Sequence, residues 1–76
     1  MDERRVLADG KTELFLLNRR FNWGLPEEAS DTIAGLVFSL LGHLPQVGET
    51  VDFRDFTFEI IKMQKKRIKK VLIKLR

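Results

Sequence analysis

The chain has 76 residues, of which 43% are hydrophobic and 33% are charged, and its formal net charge is +3. This length allows one domain, and the absence of cysteine excludes disulfides and thiolate metal sites. The longest strongly apolar stretch, residues 33–41, is far shorter than the roughly 20 residues that a membrane helix needs, so we expect a soluble chain.

The charge is distributed unevenly along the chain. Residues 1–61 hold six basic and eleven acidic side chains, whereas residues 62–76 hold eight basic and no acidic ones. Such asymmetry is typical of proteins with an anionic partner. The alternative is that the basic run forms the solvated face of a well-packed strand.

The N-terminal third predicts a strand followed by a helix. Residues 5–8 form a short apolar run, and the Asp-Gly pair at 9–10 follows it as a turn signal. Thr12 is a suitable N-cap for a helix over residues 13–19, in which apolar residues recur at helical spacing. The Gly-Leu-Pro sequence at 24–26 then ends this helical region.

A second helix is predicted between Asp31 and Gly42. Asp31 can accept hydrogen bonds from the first-turn amides, and an apolar stripe follows at positions 33, 36, 37, 40 and 41. Gly35 costs about 1 kcal/mol relative to alanine inside a helix, so we expect another backbone to approach it closely. Gly42 is expected as a left-handed C-terminal residue, and Pro45 follows it as a stop signal.

Beyond residue 48 the apolar period changes and predicts three strands. Residues 50–53 and 56–61 alternate as half-buried strands do, with a tight turn between them. The last strand alternates over residues 70–75. These patterns predict a sheet that is covered on one face.

One irregularity lies at the start of the last strand. Ile68 is three residues before Val71, which breaks strict alternation. Either Ile68 belongs to the hairpin end, or a bulge lies near residues 69–70. The turn before it contains Lys65-Lys66 in place of the Asn-Gly or Asp-Gly pair that two-residue hairpins prefer.

The sequence contains no catalytic or metal-binding constellation, and we expect a protein that is not an enzyme. His43 lies beside a predicted helix C-terminus, where a cation is favoured, so we interpret it as structural. Glu27 and Glu28 lack a partner that would separate them into an acid and a base. Trp23 is interpreted as a cap on a small core, with stacking on a ligand as the alternative.

The last hairpin has the strongest claim to a binding role. Its side chains Lys65, Lys66, Arg67, Lys69 and Lys70 form a candidate contact for an anion or a partner. The segment carries no aromatic side chain that would stack on bases, so we expect no nucleic-acid partner. The alternative is a lysine-rich edge strand that blocks pairing with other strands.

Four motifs stand out along the chain. They are DTIAGLV at residues 31–37, GHLPQVGE at 42–49, FEI at 58–60 and RIKKV at 67–71. Together they resemble the transporter-associated domain of the CorC/HlyC family, and the resemblance covers nearly the whole chain. The family usually has Asp-Gly or a similar pair at the last hairpin, so the two lysines here are a departure.

This resemblance implies a fold. We expect residues 1–76 to form a single α+β domain of order β-α-α-β-β-β, with two helices packed on a mainly antiparallel sheet. The family fold is similar to part of the FAD-binding domains of the vanillyl-alcohol-oxidase type.

The resemblance also implies a function. Such domains lie at the cytoplasmic C-terminus of larger bacterial inner-membrane proteins, so this chain is expected to be an excised piece. The expected role is an accessory or regulatory domain of a magnesium and cobalt efflux protein or a hemolysin-like protein. Its expected partners are the neighbouring CBS and membrane domains of the parent chain, or a second copy. The alternative is a binding module for FAD or another adenine nucleotide or anion, although no cofactor is expected in this piece itself.

Overall fold

The computed structural model describes residues 5–75, which form one sheet and two helices. The elements follow the chain in the order β1 (Arg5–Asp9), α1 (Leu14–Phe21), α2 (Ile33–Leu41), β2 (Thr50–Phe53), β3 (Phe56–Gln64) and β4 (Arg67–Leu75). The predicted α+β class and element order are confirmed. Neither helix in this part of the chain is long enough to cross a bilayer, since the longer one has nine residues.

The sheet is antiparallel, with the strand order β1-β4-β3-β2. On one side of β4, Leu72 pairs with Leu7 of β1; on the other side, Ile73 pairs with Phe58 of β3. β4 is therefore an internal strand, and the interpretation of its lysines as guards of a sheet edge is wrong. The physical reason is a long-range pairing with the N-terminal strand, which no local pattern reveals.

The core lies between the two helices and one face of the sheet. Alternate residues of β3 and β4 point into it, and Phe58, Val71 and Ile73 are fully buried. Leu14 of α1 and Ile33 of α2 are also fully buried in the same cluster. The apolar residues that recur at helical and strand spacing in the sequence thus lie together in one core. This core is the expected source of most of the stability.

The helix N-terminal caps differ from the predicted ones. Thr32 caps α2, because its hydroxyl accepts a hydrogen bond from the amide of Gly35 at 3.1 Å. The prediction of Asp31 as this cap is wrong. The residue before α1 is Glu13, which makes no side-chain capping bond, so the prediction of Thr12 as the cap is also wrong.

Backbone hydrogen bonds between the two helix starts replace the side-chain cap that α1 lacks. A single antiparallel bridge joins Glu13 to Thr32. The amide of Leu14 donates to the carbonyl of Asp31 at 2.8 Å, and the amide of Ile33 donates to a carbonyl in the β1–α1 connection at 2.9 Å. First-turn amides that side chains often satisfy are satisfied here by tertiary contacts.

Gly35 does not meet another backbone, so that prediction is wrong. A Cβ at this position would overlap the hydroxyl oxygen of Ser30. The Ser30 hydroxyl lies close to the amide and the carbonyl of Thr32, at 3.3 Å and 3.2 Å. The glycine therefore makes room for a side chain in the loop before α2.

The close backbone approach occurs instead at Gly10. A Cβ there would overlap the carbonyl oxygen of Ile68 in β4. The Gly10 amide donates to the carbonyl of Lys69 at 2.8 Å, and the Gly10 carbonyl accepts from the amide of Ala34 at 2.9 Å. Gly10 thus joins β1, β4 and the start of α2 in one small volume.

The β3–β4 hairpin turns on two lysines in left-handed conformation. Lys65 has φ 51° and Lys66 has φ 64°. Positive φ at both central residues is what a two-residue type I′ turn requires, and Asn-Gly usually supplies it. Left-handed conformation costs a non-glycine residue roughly 1–2 kcal/mol, so this turn carries strain at both positions.

The bulge predicted near residues 69–70 is confirmed. The register of the hairpin shifts twice, with Ile61 as an extra residue on β3 and Lys69 as an extra residue on β4. The extra residue Lys69 places Ile68 and Val71 on the same face of β4, so both are buried although they lie three residues apart, and the extra residue on β3 restores the register between the strands.

Trp23 packs on the core, as predicted. Its ring stacks on Phe21 with 4.5 Å between centroids and meets Phe56 edge-on at 5.4 Å. The loop that carries it is held by Asn18, whose side chain bonds to the amide and the carbonyl of Leu25 at 2.7 Å and 2.9 Å. These contacts close the end of the core opposite Gly10.

Candidate functional site

Four of the five predicted basic residues meet at the end of the β3–β4 hairpin. Lys65, Lys66, Arg67 and Lys69 are exposed there. Lys11, from the β1–α1 connection, joins them, because it borders the same surface depressions. We call these five side chains the basic tip.

Lys11 is absent from the set that the sequence predicts. It lies more than fifty residues away from the hairpin along the chain, and only the pairing of β1 with β4 brings it there. The Asp-Gly pair before it is the one local signal that the chain turns at this point. The bond from the Gly10 amide to the Lys69 carbonyl, at 2.8 Å, extends the pairing as far as the tip.

Lys70, the fifth predicted residue, is engaged elsewhere. Its Nζ lies 2.9 Å from Oδ1 of Asp9 on the neighbouring strand. The hydrogen bond and charge of Lys70 lower the pKa of Asp9 below its ordinary value, and the charges of Lys69 and Lys11 act in the same direction. A role for Lys70 in anion binding stays a prediction, and it requires that this ion pair open.

The charges of the basic tip are not neutralised by ion pairs within residues 5–75. The ion pairs of this part of the chain involve His43, Lys70 and Lys74, and not the five residues of the tip. Asp9 is a nearby carboxylate, and Lys70 already binds it. The tip therefore carries a positive potential that favours anionic groups.

A groove of about 360 Å³ separates the start of α2 from the basic tip. Ala34, Phe38, Pro45 and Ile68 form its apolar floor. We call it the hairpin groove. A hydrophobic floor bordered by a few charged groups is the usual composition of a binding surface.

Three basic side chains border the hairpin groove: Lys11, Lys66 and Arg67. A second depression, of about 510 Å³, is also lined by basic side chains, among them Lys11, Lys65 and Lys69. The basic tip thus contributes to an apolar groove and to a more polar depression, and Lys11 and Arg67 border both.

The first amides of α2 are already engaged. The amide of Ile33 donates to the Thr12 carbonyl and that of Ala34 to the Gly10 carbonyl, both at 2.9 Å. The Gly35 amide donates to the Thr32 hydroxyl. An anion in the hairpin groove would therefore bind to side-chain cations rather than to the helix N-terminus.

His43 belongs to the turn after α2. Its Nε2 lies 2.7 Å from Oε1 of Glu49, and both groups are exposed. The hydrogen bond that the His43 ring donates to the Glu49 carboxylate raises the pKa of His43, and the same contact lowers the pKa of Glu49. The pair connects the two ends of the Gly42–Glu49 turn, which agrees with a structural interpretation of His43.

Glu27, the first of the two adjacent glutamates considered from the sequence, lies in a structural contact. Glu27 accepts a hydrogen bond from the side chain of Asn18 at 2.8 Å. Within residues 5–75, no three histidine or acidic side chains come together as a set that could hold a metal ion.

Comparison with known proteins connects this arrangement to a family. The sequence profile described as "Transporter associated domain" matches residues 1–76. The magnesium and cobalt efflux protein CorC of Escherichia coli K12 is 38% identical over 58 residues, which are 76% of this chain and 20% of that protein. The inner membrane protein YfjD of the same organism is 31% identical over 68 residues, which are 90% of this chain and 16% of that protein. The chain thus spans a fifth or less of the length of these relatives.

A solved structure shares the whole fold. It is the transporter-associated domain of a CBS domain protein from Porphyromonas gingivalis, with a TM-score of 0.83 and 30% sequence identity. The match covers 99% of this chain and 92% of that one. A domain of nearly this length therefore folds without the rest of its parent protein.

Proposed function

The chain belongs to the transporter-associated domain family, and on that premise we propose that it is a non-catalytic accessory domain that regulates a divalent-cation efflux or hemolysin-like protein. The observation that carries the proposal is a family match over the full chain, combined with the small share of CorC that the chain covers. A domain of this size within a transport protein acts through contacts with other domains, which alter the conformation that the transporting part adopts.

The partners in this proposal are the other domains of the parent protein. The name of the Porphyromonas gingivalis protein supports CBS domains as neighbours, and that of YfjD supports a parent in the inner membrane. The domain would then lie on the cytoplasmic side, against the CBS and membrane domains or a second copy of itself. Exposed apolar side chains such as Leu7, Leu44 and Val47, at 56%, 51% and 62% exposure, offer surface for such packing.

The test uses the full-length natural protein that contains this chain. Cells that express the intact protein, or a version lacking these 76 residues, are loaded with cobalt or magnesium, and efflux is measured per molecule of protein in the membrane. We expect the deletion to change the rate of efflux or its dependence on the cation concentration. Identical efflux from the two proteins over the whole range would contradict the accessory role.

A second candidate function is the binding of FAD or another adenine nucleotide. The observation that favours it is the basic tip, whose cations attract phosphate groups without a competing ion pair within residues 5–75. A ligand that binds the folded state raises the melting temperature. ADP and FAD should then raise it at about 50 mM salt and still raise it at about 200 mM, because nonspecific phosphate attraction falls steeply over this range.

A further inference from the structure

The floor of the hairpin groove leaves apolar surface in water. Phe38 lies on α2 and is 50% exposed, although Val37 beside it is fully buried. Phe38 borders the groove together with Ala34 and the buried Ile68. A half-exposed phenylalanine above an apolar depression is the kind of surface that a partner side chain covers with a gain of hydrophobic free energy.

The border of the groove determines the charge of that partner. Lys11, Lys66 and Arg67 surround the floor, and none of them forms an ion pair within residues 5–75. Acidic groups that neutralise these three cations would therefore come from outside this part of the chain. Arg67 in particular can bind a carboxylate through two parallel hydrogen bonds.

The hydrogen-bond donors around the groove favour a peptide segment over a nucleotide. Phosphate sites commonly use backbone amides at a helix N-terminus, and here those of Ile33, Ala34 and Gly35 are already bonded. In an acidic peptide, the carboxylates lie on either side of an apolar side chain. Each of them can bind to a separate cation at the border of the groove, and no backbone amide is required.

We propose that the hairpin groove binds an acidic segment of a neighbouring domain, whose apolar side chain packs on Phe38 while flanking Asp or Glu residues contact Lys11, Lys66 and Arg67. This inference rests on the proposed accessory function and names the contact through which it operates. The more polar depression between Lys11, Lys65 and Lys69 is not part of this site.

The test measures peptide binding to the isolated chain by NMR. The probe is a nine-residue peptide with one leucine between two Glu-Asp pairs and glycine at the ends. We expect saturable shifts of the amides of Ala34, Phe38 and Ile68. A peptide with lysine in place of the acidic residues, and one with serine in place of leucine, should each bind at least about tenfold more weakly.

Matched variants locate the site. Lys66→Glu combined with Arg67→Glu should weaken binding by at least about tenfold, whereas Lys62→Glu, an exposed lysine outside the groove, should leave it unchanged within about twofold. Phe38→Ser should weaken binding, and Leu16→Ser, a change at an equally exposed apolar residue on α1, should not. The amide spectrum of each variant checks that it is folded.

Three results would overturn the proposal. They are no saturable shift with the probe peptide up to millimolar concentration, an equal loss of binding in Lys62→Glu, and shifts of the groove amides with ADP but not with the peptide. The last result would identify a small-anion site instead. If the peptide does not bind while deletion of the domain still alters efflux, the docking site is wrong and the accessory function stands.

Discussion

The β2–β3 and β3–β4 hairpins both have basic residues at positive φ in their turns, but the side chains of these residues differ in their contacts. The β2–β3 turn contains Arg54 at φ 55°, and the β3–β4 turn contains Lys65 and Lys66 at φ 51° and 64°. Arg54 donates a hydrogen bond to the carbonyl of Gly24 at 3.1 Å and lies over the ring of Phe53 at 4.8 Å. The two lysines make no comparable contact within residues 5–75.

This difference indicates two separate reasons why a turn can contain a non-glycine residue at positive φ. At the β2–β3 turn, the side chain of Arg54 connects the hairpin to the loop between the helices, so the contact offsets part of the backbone strain. At the β3–β4 turn, the lysines carry the strain without an internal contact, and their charges remain available at the surface. The second turn is therefore the better candidate for interaction with a partner.

The largest expected effect comes from the backbone that anchors the second hairpin. Gly10→Ala places a methyl group against the carbonyl oxygen of Ile68, and a main-chain atom cannot rotate away as a side chain can. We expect a loss of about 3 kcal/mol in the free energy of unfolding, measured by urea denaturation.

Gly35→Ala provides the control for this prediction. Its methyl group meets the Ser30 hydroxyl, which is a side chain, and alanine also improves helix propensity by about 1 kcal/mol. It should therefore cost much less than Gly10→Ala, and the Ser30→Ala background should turn the change into a gain. Equal losses for the two glycines would contradict the distinction between a backbone and a side-chain neighbour.

The second largest effect concerns the loop between α1 and α2, which Arg54 of the β2–β3 turn contacts. Asn18→Ala removes the side chain that bonds to the amide and the carbonyl of Leu25. Because these groups are partly buried, we expect a loss of about 1–2 kcal/mol in the free energy of unfolding. Ser39→Ala, at an exposed position of α2, should change it by less than about 0.5 kcal/mol. A loss for Asn18→Ala as small as that of the control would show that the loop is held by packing alone.

Glycine substitution compares the two turns directly. Lys66→Gly should raise the free energy of unfolding by about 1 kcal/mol, since glycine adopts positive φ without the clash of a Cβ. Arg54→Gly relieves the same strain but loses the bond to Gly24 and the contact with Phe53, so we expect no gain. Stabilisation of equal size in both variants would remove the distinction drawn between the turns.

The smallest effect is a pH dependence of the turn after α2. The pKa of His43 is raised above its ordinary 6.5, so its contribution is complete below pH 6.5 and is lost as pH rises through the folded-state value. The pKa of Glu49 is lowered below 4.5, so its contribution is present above pH 4.5 and is lost as pH falls through the folded-state value.

The difference in melting temperature between the native chain and His43→Ala should therefore be largest between about pH 4.5 and 6.5 and should shrink above it. Because both groups are exposed, the difference should be small and should decrease with added salt. A difference that grows toward pH 9 would contradict the ion pair.

Much of the fold was predictable because its causes are local. The stripe of α2, the alternation of β3 and the bulge near Lys69 all depend on residues a few positions apart. Gly42 ends α2 in left-handed conformation at φ 75°, as the stop signal predicts. The candidate site was predictable only in part, since the four hairpin cations of the basic tip are consecutive or nearly so, whereas Lys11 is remote in sequence.

The sequence by itself determined the element order, the core-facing residues and the family, because periodicity and short motifs are carried by neighbouring residues. Only the tertiary structure decided which strand is internal, what holds the helix starts and which glycine meets another backbone. β1 pairs with β4 over more than sixty residues of chain, and that single pairing brings Gly10 against the Ile68 carbonyl and Lys11 to the groove. These features depend on which elements are adjacent in space, and that adjacency is a property of the packed chain rather than of any one segment.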